Sequence, residues 1–116
     1  VNLVNCTPHP IRLLAGEPGA ERVLDLPPSG AVARAAEQRQ QVGTVEAGGV
    51  SLPVYEVSYG DLEGLPEPAP GTVYIVSAIA ARAAAAAGRQ DCLVVADPVR
   101  DGEGRITGAR ALARVS

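Results

Sequence analysis

The stretch Asn5-Cys6-Thr7-Pro8-His9-Pro10 brings a thiol, a hydroxyl and the single imidazole of the chain close together. An imidazole titrates near neutral pH and is easily shifted by its neighbours, so His9 is a candidate general base. Cys6, Thr7 or Ser29 would then serve as nucleophile or water positioner in a small hydrolase. Such a set needs a carboxylate to hold the imidazole in one tautomer, and the sequence orders none of its acids around His9. The plainer reading is a rigid turn. Pro8 and Pro10 each remove a backbone donor and bias the preceding residue toward extended geometry.

Three further segments suit the binding of an anion. Pro27-Pro28-Ser29-Gly30 offers a hydroxyl and a glycine amide, but it has no lysine and no P-loop spacing, so a plain turn competes. Ser77 heads an alanine-rich run, where unpaired amides and the positive end of a helix dipole attract negative charge. Asp97-Pro98-Val99-Arg100-Asp101 carries a guanidinium, a planar fork for phosphate or carboxylate, although its flanking acids can also quench it in a surface ion pair. Tyr59, at the start of a long Pro- and Gly-rich segment, can pack on a base or sugar. The candidate ligand-binding residues are therefore Thr7, His9, Ser29, Tyr59, Ser77, Asp97 and Arg100. No catalytic set, metal-ligand cluster or cofactor motif accompanies them.

Short strands and one helix must position these groups. Val1–Cys6, Ile11–Leu14 and Arg22–Leu26 read as strands separated by proline and glycine turns. Residues 31–37 are good helix formers, but their phase favours a strand. Ala47-Gly48-Gly49 predicts a hairpin between Val42–Glu46 and Val50–Val57. Along its second arm the apolar face changes near Pro53, the signature of a bulge or a switch between sheets. Gly60–Gly71 reads as a long ordered loop. Thr72–Ser77 is a buried strand, Ala78–Ala87 a helix capped by Ser77 and stopped by Gly88, and Cys92–Ala96 another strand, left at Asp97. Arg105–Thr107 and Ala109–Val115 suggest a last hairpin. No long exposed apolar stripe is evident.

At 116 residues the chain suits one domain, 1–116. Apolar residues make up 47% and aromatics only 3%, so the core must be aliphatic and alanine-rich, and therefore thin. Self-association, most simply as a two-fold dimer, would bury more. A net charge of −3 argues against sequence-independent nucleic-acid binding. No run approaches the length that spans a bilayer, and no secretory signal opens the chain, so a cytoplasmic location is expected. Position 1 need not be the native start. Cys6 and Cys92 read as small buried hydrophobes.

Five blocks carry a resemblance: Thr7-Pro8-His9, Pro27 to Arg34, Tyr59 to Pro66, Tyr74-Ile75-Val76-Ser77 and Asp97 to Asp101. In this order they resemble a family of small hypothetical proteins of bacteriophages and prophage-carrying bacteria. The resemblance implies a phage setting, hence the host cytoplasm, and carries no catalytic residues with it. The expected fold is α+β: a bent, mostly antiparallel sheet or partial β-barrel with one Ala-rich helix. The expected function is binding of a small anionic, nucleotide-like molecule, as in phage proteins that sequester a host defence signal. The small hydrolase built on His9 is the alternative. A non-catalytic phage accessory module, using Gly60–Gly71 as its contact surface, is the third reading.

Overall fold

The computed structural model describes residues 1–17 and 19–115, with the Tyr59 side chain outside the described residues. It is an α+β fold: a six-stranded sheet curled into a partial barrel, one helix, and a separate two-stranded hairpin. The strands are β1 (Asn2–Asn5), β2 (Ile11–Ala15), β3 (Arg22–Leu26), β4 (Arg34–Ala47), β5 (Val50–Glu63), β6 (Thr72–Ile75), β7 (Cys92–Arg100) and β8 (Ile106–Ala113), with α1 spanning Ala78–Ala86.

The barrel sheet runs in the order β1-β6-β7-β8-β2-β3. Most of the paired length in the molecule is antiparallel, in β2–β3, β4–β5 and β7–β8. The parallel contacts β1–β6, β6–β7 and β8–β2 are short. The parallel pair β6–β7 requires a crossover, and α1 supplies it. The outer strands β1 and β3 curl toward each other. Asn5 at the end of β1 donates from Nδ2 to the Leu26 carbonyl of β3, and the Ser29 amide donates to the Asn5 carbonyl, both at 3.0 Å.

Alanine makes α1 a strong helix former. Its start is capped by Ser77, whose Oγ accepts from the Ala80 amide at 3.3 Å. At its end Gly88 takes φ 84°, the Arg89 amide bonds the Ala84 carbonyl and the Gly88 amide bonds that of Ala85, which is a Schellman stop. The small side chains let the helix approach closely. Ala80, Ala81 and Ala84 join Cys6, Ala33, Tyr74, Val76 and Cys92 in one core cluster. That core is thin: Ile75, Asn5 and Cys6 are its largest fully buried side chains.

Several sequence expectations are corrected in extent. The hairpin is longer than expected and opens at Gly48-Gly49, both with positive φ, while β5 runs through Glu63, so the loop shrinks to residues 64–71. A register shift does lie close by, between Gln41 and Gly43 opposite Tyr55 and Val54, but its extra residue belongs to β4, and β5 runs past Pro53 without a bulge. Residues 105–115 do not fold on themselves. Ile106–Ala113 form the single strand β8 along β7, which continues past Asp97 to Arg100. Asp97 holds φ 52°, so Pro98 is passed by a local left-handed kink without ending the strand.

The loop 64–71 is ordered by side chains that the sequence reading did not single out. The Tyr74 hydroxyl donates to the Glu67 carbonyl at 2.8 Å, and Arg89 donates to the Pro66 carbonyl at 3.0 Å. Arg89 also grips Asp91 with two bonds, at 2.9 and 2.8 Å.

Candidate functional site

The carboxyl ends of β1, β3 and β6, the starts of β2 and β8 and the middle of β7 meet at one end of the barrel. A cavity of about 1080 Å³ opens there. Its walls are aliphatic and proline-rich, with Ile11, Leu26, Ile75, Val94, Val95 and Ile106 among the lining residues. The polar groups of the lining are few: Thr7, His9, Arg12, Asp25, Ser77 and Thr107.

Asn5 builds one wall of this mouth. It is only 2% exposed, and all four of its amide bonding positions are used. Nδ2 donates to the carbonyls of His9 at 2.8 Å and Leu26 at 3.0 Å, while Oδ1 accepts from the Thr7 amide at 3.0 Å and the Thr7 hydroxyl at 2.7 Å. The Thr7 hydroxyl also lies 3.0 Å from the His9 carbonyl, so its one proton serves one acceptor at a time. The turn 7–10 is thus held by its backbone, with the His9 imidazole exposed at the cavity edge.

Ser29 has a different task from the one expected. Its Oγ donates to the Asn5 carbonyl at 2.7 Å, pinning the Pro27–Gly30 turn across β1. It does not line the cavity, and neither do Asp97 or Arg100. Arg100 donates to the Gly104 carbonyl at 2.9 Å in the β7–β8 turn. The structure therefore brings Thr7, His9 and Ser77 together and leaves Ser29, Asp97 and Arg100 outside. The expectation for the Tyr59 side chain falls outside the described residues. Thr7 and Ser77, with Pro8, also line a smaller cavity of about 320 Å³, beside Cys6 and Ile79.

The cation of the cavity rim is Arg12, which the sequence did not mark. Its Nε and Nη2 donate to the Asp25 carboxylate at 2.8 and 3.4 Å across the β2–β3 pair. This pairing holds the guanidinium above its ordinary pKa, first through the hydrogen bond and then through charge. Only the alternation of β2 beside the turn 7–10 could have pointed to it. The amides of Ala78 and Ile79 head α1, where no intrahelical partner exists, and Ala78 lies in the lining.

The thiols are unsuited to nucleophilic attack. Cys6 and Cys92 are free and buried. Burial pushes the Cys6 thiol up, partly offset by a hydrogen bond with Ser29, and burial with the neighbouring Asp91 charge pushes Cys92 up to about 11. Both stay protonated at neutral pH, and a protonated thiol is a poor nucleophile. Among the described residues no group of three His, Cys, Asp or Glu side chains is placed to hold a metal ion, and no helix is long and apolar enough to cross a membrane. Comparison with protein families, with curated proteins and with solved structures finds no match to this chain.

Proposed function

We propose that the protein is a binding protein for a small anionic molecule of the nucleotide class, and that the barrel mouth is where it binds. The observation that carries this reading is the cavity of about 1080 Å³, aliphatic over most of its lining and polar at Thr7, His9, Ser77, Thr107 and the Arg12–Asp25 pair. Small-molecule sites have this character, apolar walls with a few placed polar groups, and volumes of roughly 300–1,000 Å³. A flat base would fill the aliphatic part. Its charged end would meet the Ala78 amide and Arg12, because an anion leaving water needs charge-assisted bonds to offset its desolvation. Arg12 can turn toward a ligand at small cost, since its pairing with Asp25 is solvent-exposed. Arg100 is not needed in this arrangement.

No chemistry on the ligand is part of this reading. The phage setting, with sequestration of a host signal in the cytoplasm, rests on the five sequence blocks. Self-association belongs to the reading too, since the thin core leaves much apolar surface uncovered.

Native mass spectrometry of the protein purified from bacterial cells tests it. A co-purifying mass lost on denaturation, with absorbance at 260 nm, is the expected result. The chain has no Trp and three Tyr, so a bound base dominates the ultraviolet spectrum. A bound neutral lipid, or no adduct together with no thermal shift across a nucleotide panel, would overturn the reading.

A further inference from the structure

The smaller cavity adjoins the barrel mouth. Both cavities are lined by Thr7, Pro8 and Ser77. Successive residues at the start of α1 divide between them, Ala78 lining the large cavity and Ile79 the small one. One residue step is about 3.8 Å, a distance that a chain of two phosphates spans. At about 320 Å³ the small cavity stands at the bottom of the range for whole-ligand sites, roughly 300–1,000 Å³. It suits one end of a molecule held at the mouth.

The two cavities differ in charge. In the large one Arg12 pairs with Asp25, so their formal charges cancel. In the small one Arg34 is the only charged residue among the described lining. Glu63 stands opposite Arg34 in the β4–β5 register but lies outside that lining, and among the described residues no carboxylate pairs with Arg34. An anion meets this guanidinium without displacing an acid. The backbone beneath it is fixed: neighbouring Ala33 is buried, and its amide donates to the Cys6 carbonyl at 3.0 Å, tying the start of β4 to the end of β1.

The shared wall adds a second donor. The Thr7 hydroxyl spends its proton on Asn5 Oδ1 or the His9 carbonyl. The Ser77 oxygen accepts from the Ala80 amide, and its proton has no acceptor among the described residues. Cys6, also in the lining, is buried with its thiol held protonated, so it puts no negative charge there.

We propose that the small cavity takes the outer phosphate of the ligand, with Arg34 and the Ser77 hydroxyl as donors. The preferred ligand is then a nucleotide with a chain of two or more phosphates. This rests on the barrel mouth being a nucleotide site, where Arg12 and the Ala78 amide meet the inner phosphate. The planar fork of Arg34 suits such an end group.

Calorimetric titration tests it, with the mono- and diphosphates of the four ribonucleosides and with inorganic pyrophosphate. The proteins are wild type, Arg34→Ala and Arg22→Ala. Arg22 lies in β3 and lines neither cavity, so its variant controls for the loss of one positive charge. For a base that binds, wild type is expected to hold the diphosphate about tenfold or more tightly than the monophosphate, the worth of a charge-assisted contact. Arg34→Ala should bind the two alike, and Arg22→Ala should keep the preference. Equal affinities in wild type, a preference that survives in Arg34→Ala, or one lost equally in Arg22→Ala would overturn the proposal. Pyrophosphate separates it from the reading on which it rests. If no nucleotide binds but pyrophosphate does, and Arg34→Ala alone weakens it, the nucleotide reading falls and the phosphate site at Arg34 stands. Pyrophosphate binding indifferent to Arg34, or no binding of any probe, overturns both.

Discussion

Asn5 Nδ2 and the Leu26 carbonyl lie 3.0 Å apart, and this one bond joins the two outer strands of the six-stranded sheet. The same amide holds the turn that carries His9. Closure of the barrel and placement of the cavity rim are therefore one event. Asn5→Leu is expected to cost roughly 3 kcal/mol, because the carbonyls of residues 9 and 26 and the Thr7 amide lose their buried partner together. Urea unfolding measures it. Asn5→Asp should be no rescue, since it removes the donors and adds a buried charge.

Gly64 takes φ 80° at the end of β5, and a Cβ there would run into the Val32 carbonyl oxygen. Gly71 has a similar φ of 66° with open space around it. Gly64→Ala is therefore expected to lose several times the stability lost by Gly71→Ala, which carries only the backbone penalty of about 1 kcal/mol. Thermal melting of the pair compares them directly.

Acid should loosen the loop 64–71. The Arg89 hydrogen bond holds the Asp91 carboxyl below its ordinary value, against a smaller opposing effect of burial. A depressed folded pKa means stability that is present above the unfolded value of 3.8 and lost as pH falls through the folded one. Wild type should lose this increment below about pH 4, and Asp91→Asn should show a flatter acid limb. Arg89→Ala is expected to cost roughly 1–3 kcal/mol at neutral pH, because it also frees the Pro66 carbonyl. Denaturant titrations across pH check both.

A thiol reagent at neutral pH should label neither Cys6 nor Cys92 in the native protein and both after denaturation. Burial and the raised thiol pKa values combine to prevent thiolate formation. Fast native labelling of Cys6 would revive the hydrolase reading.

The ligand proposal separates two arginines. Arg12→Ala is expected to weaken retention of the co-purified anion about tenfold or more, the worth of a charge-assisted contact. Arg100→Ala should leave it unchanged, since its guanidinium serves the β7–β8 turn. Calorimetric titration of both variants decides between the rim and the turn.

Local patterns were enough to place the helix, its Ser77 cap and Gly88 stop and the Gly48-Gly49 turn, because each depends on residues a few positions apart. The α+β class was legible for the same reason. Which candidate residues would meet was not. Thr7, His9 and Ser77 converge because β1 and β6 lie side by side and end together. Arg12 joins them through a β2–β8 contact as brief as Leu13 beside Ala109. Ser29 looked like an anion ligand until the curl of the barrel set its hydroxyl against Asn5. Asn5 itself reads as an ordinary polar strand end, and only closure of the sheet makes it a buried hub. Pairing partners far apart in the chain are chosen by the packing of the whole, and that choice decided the site.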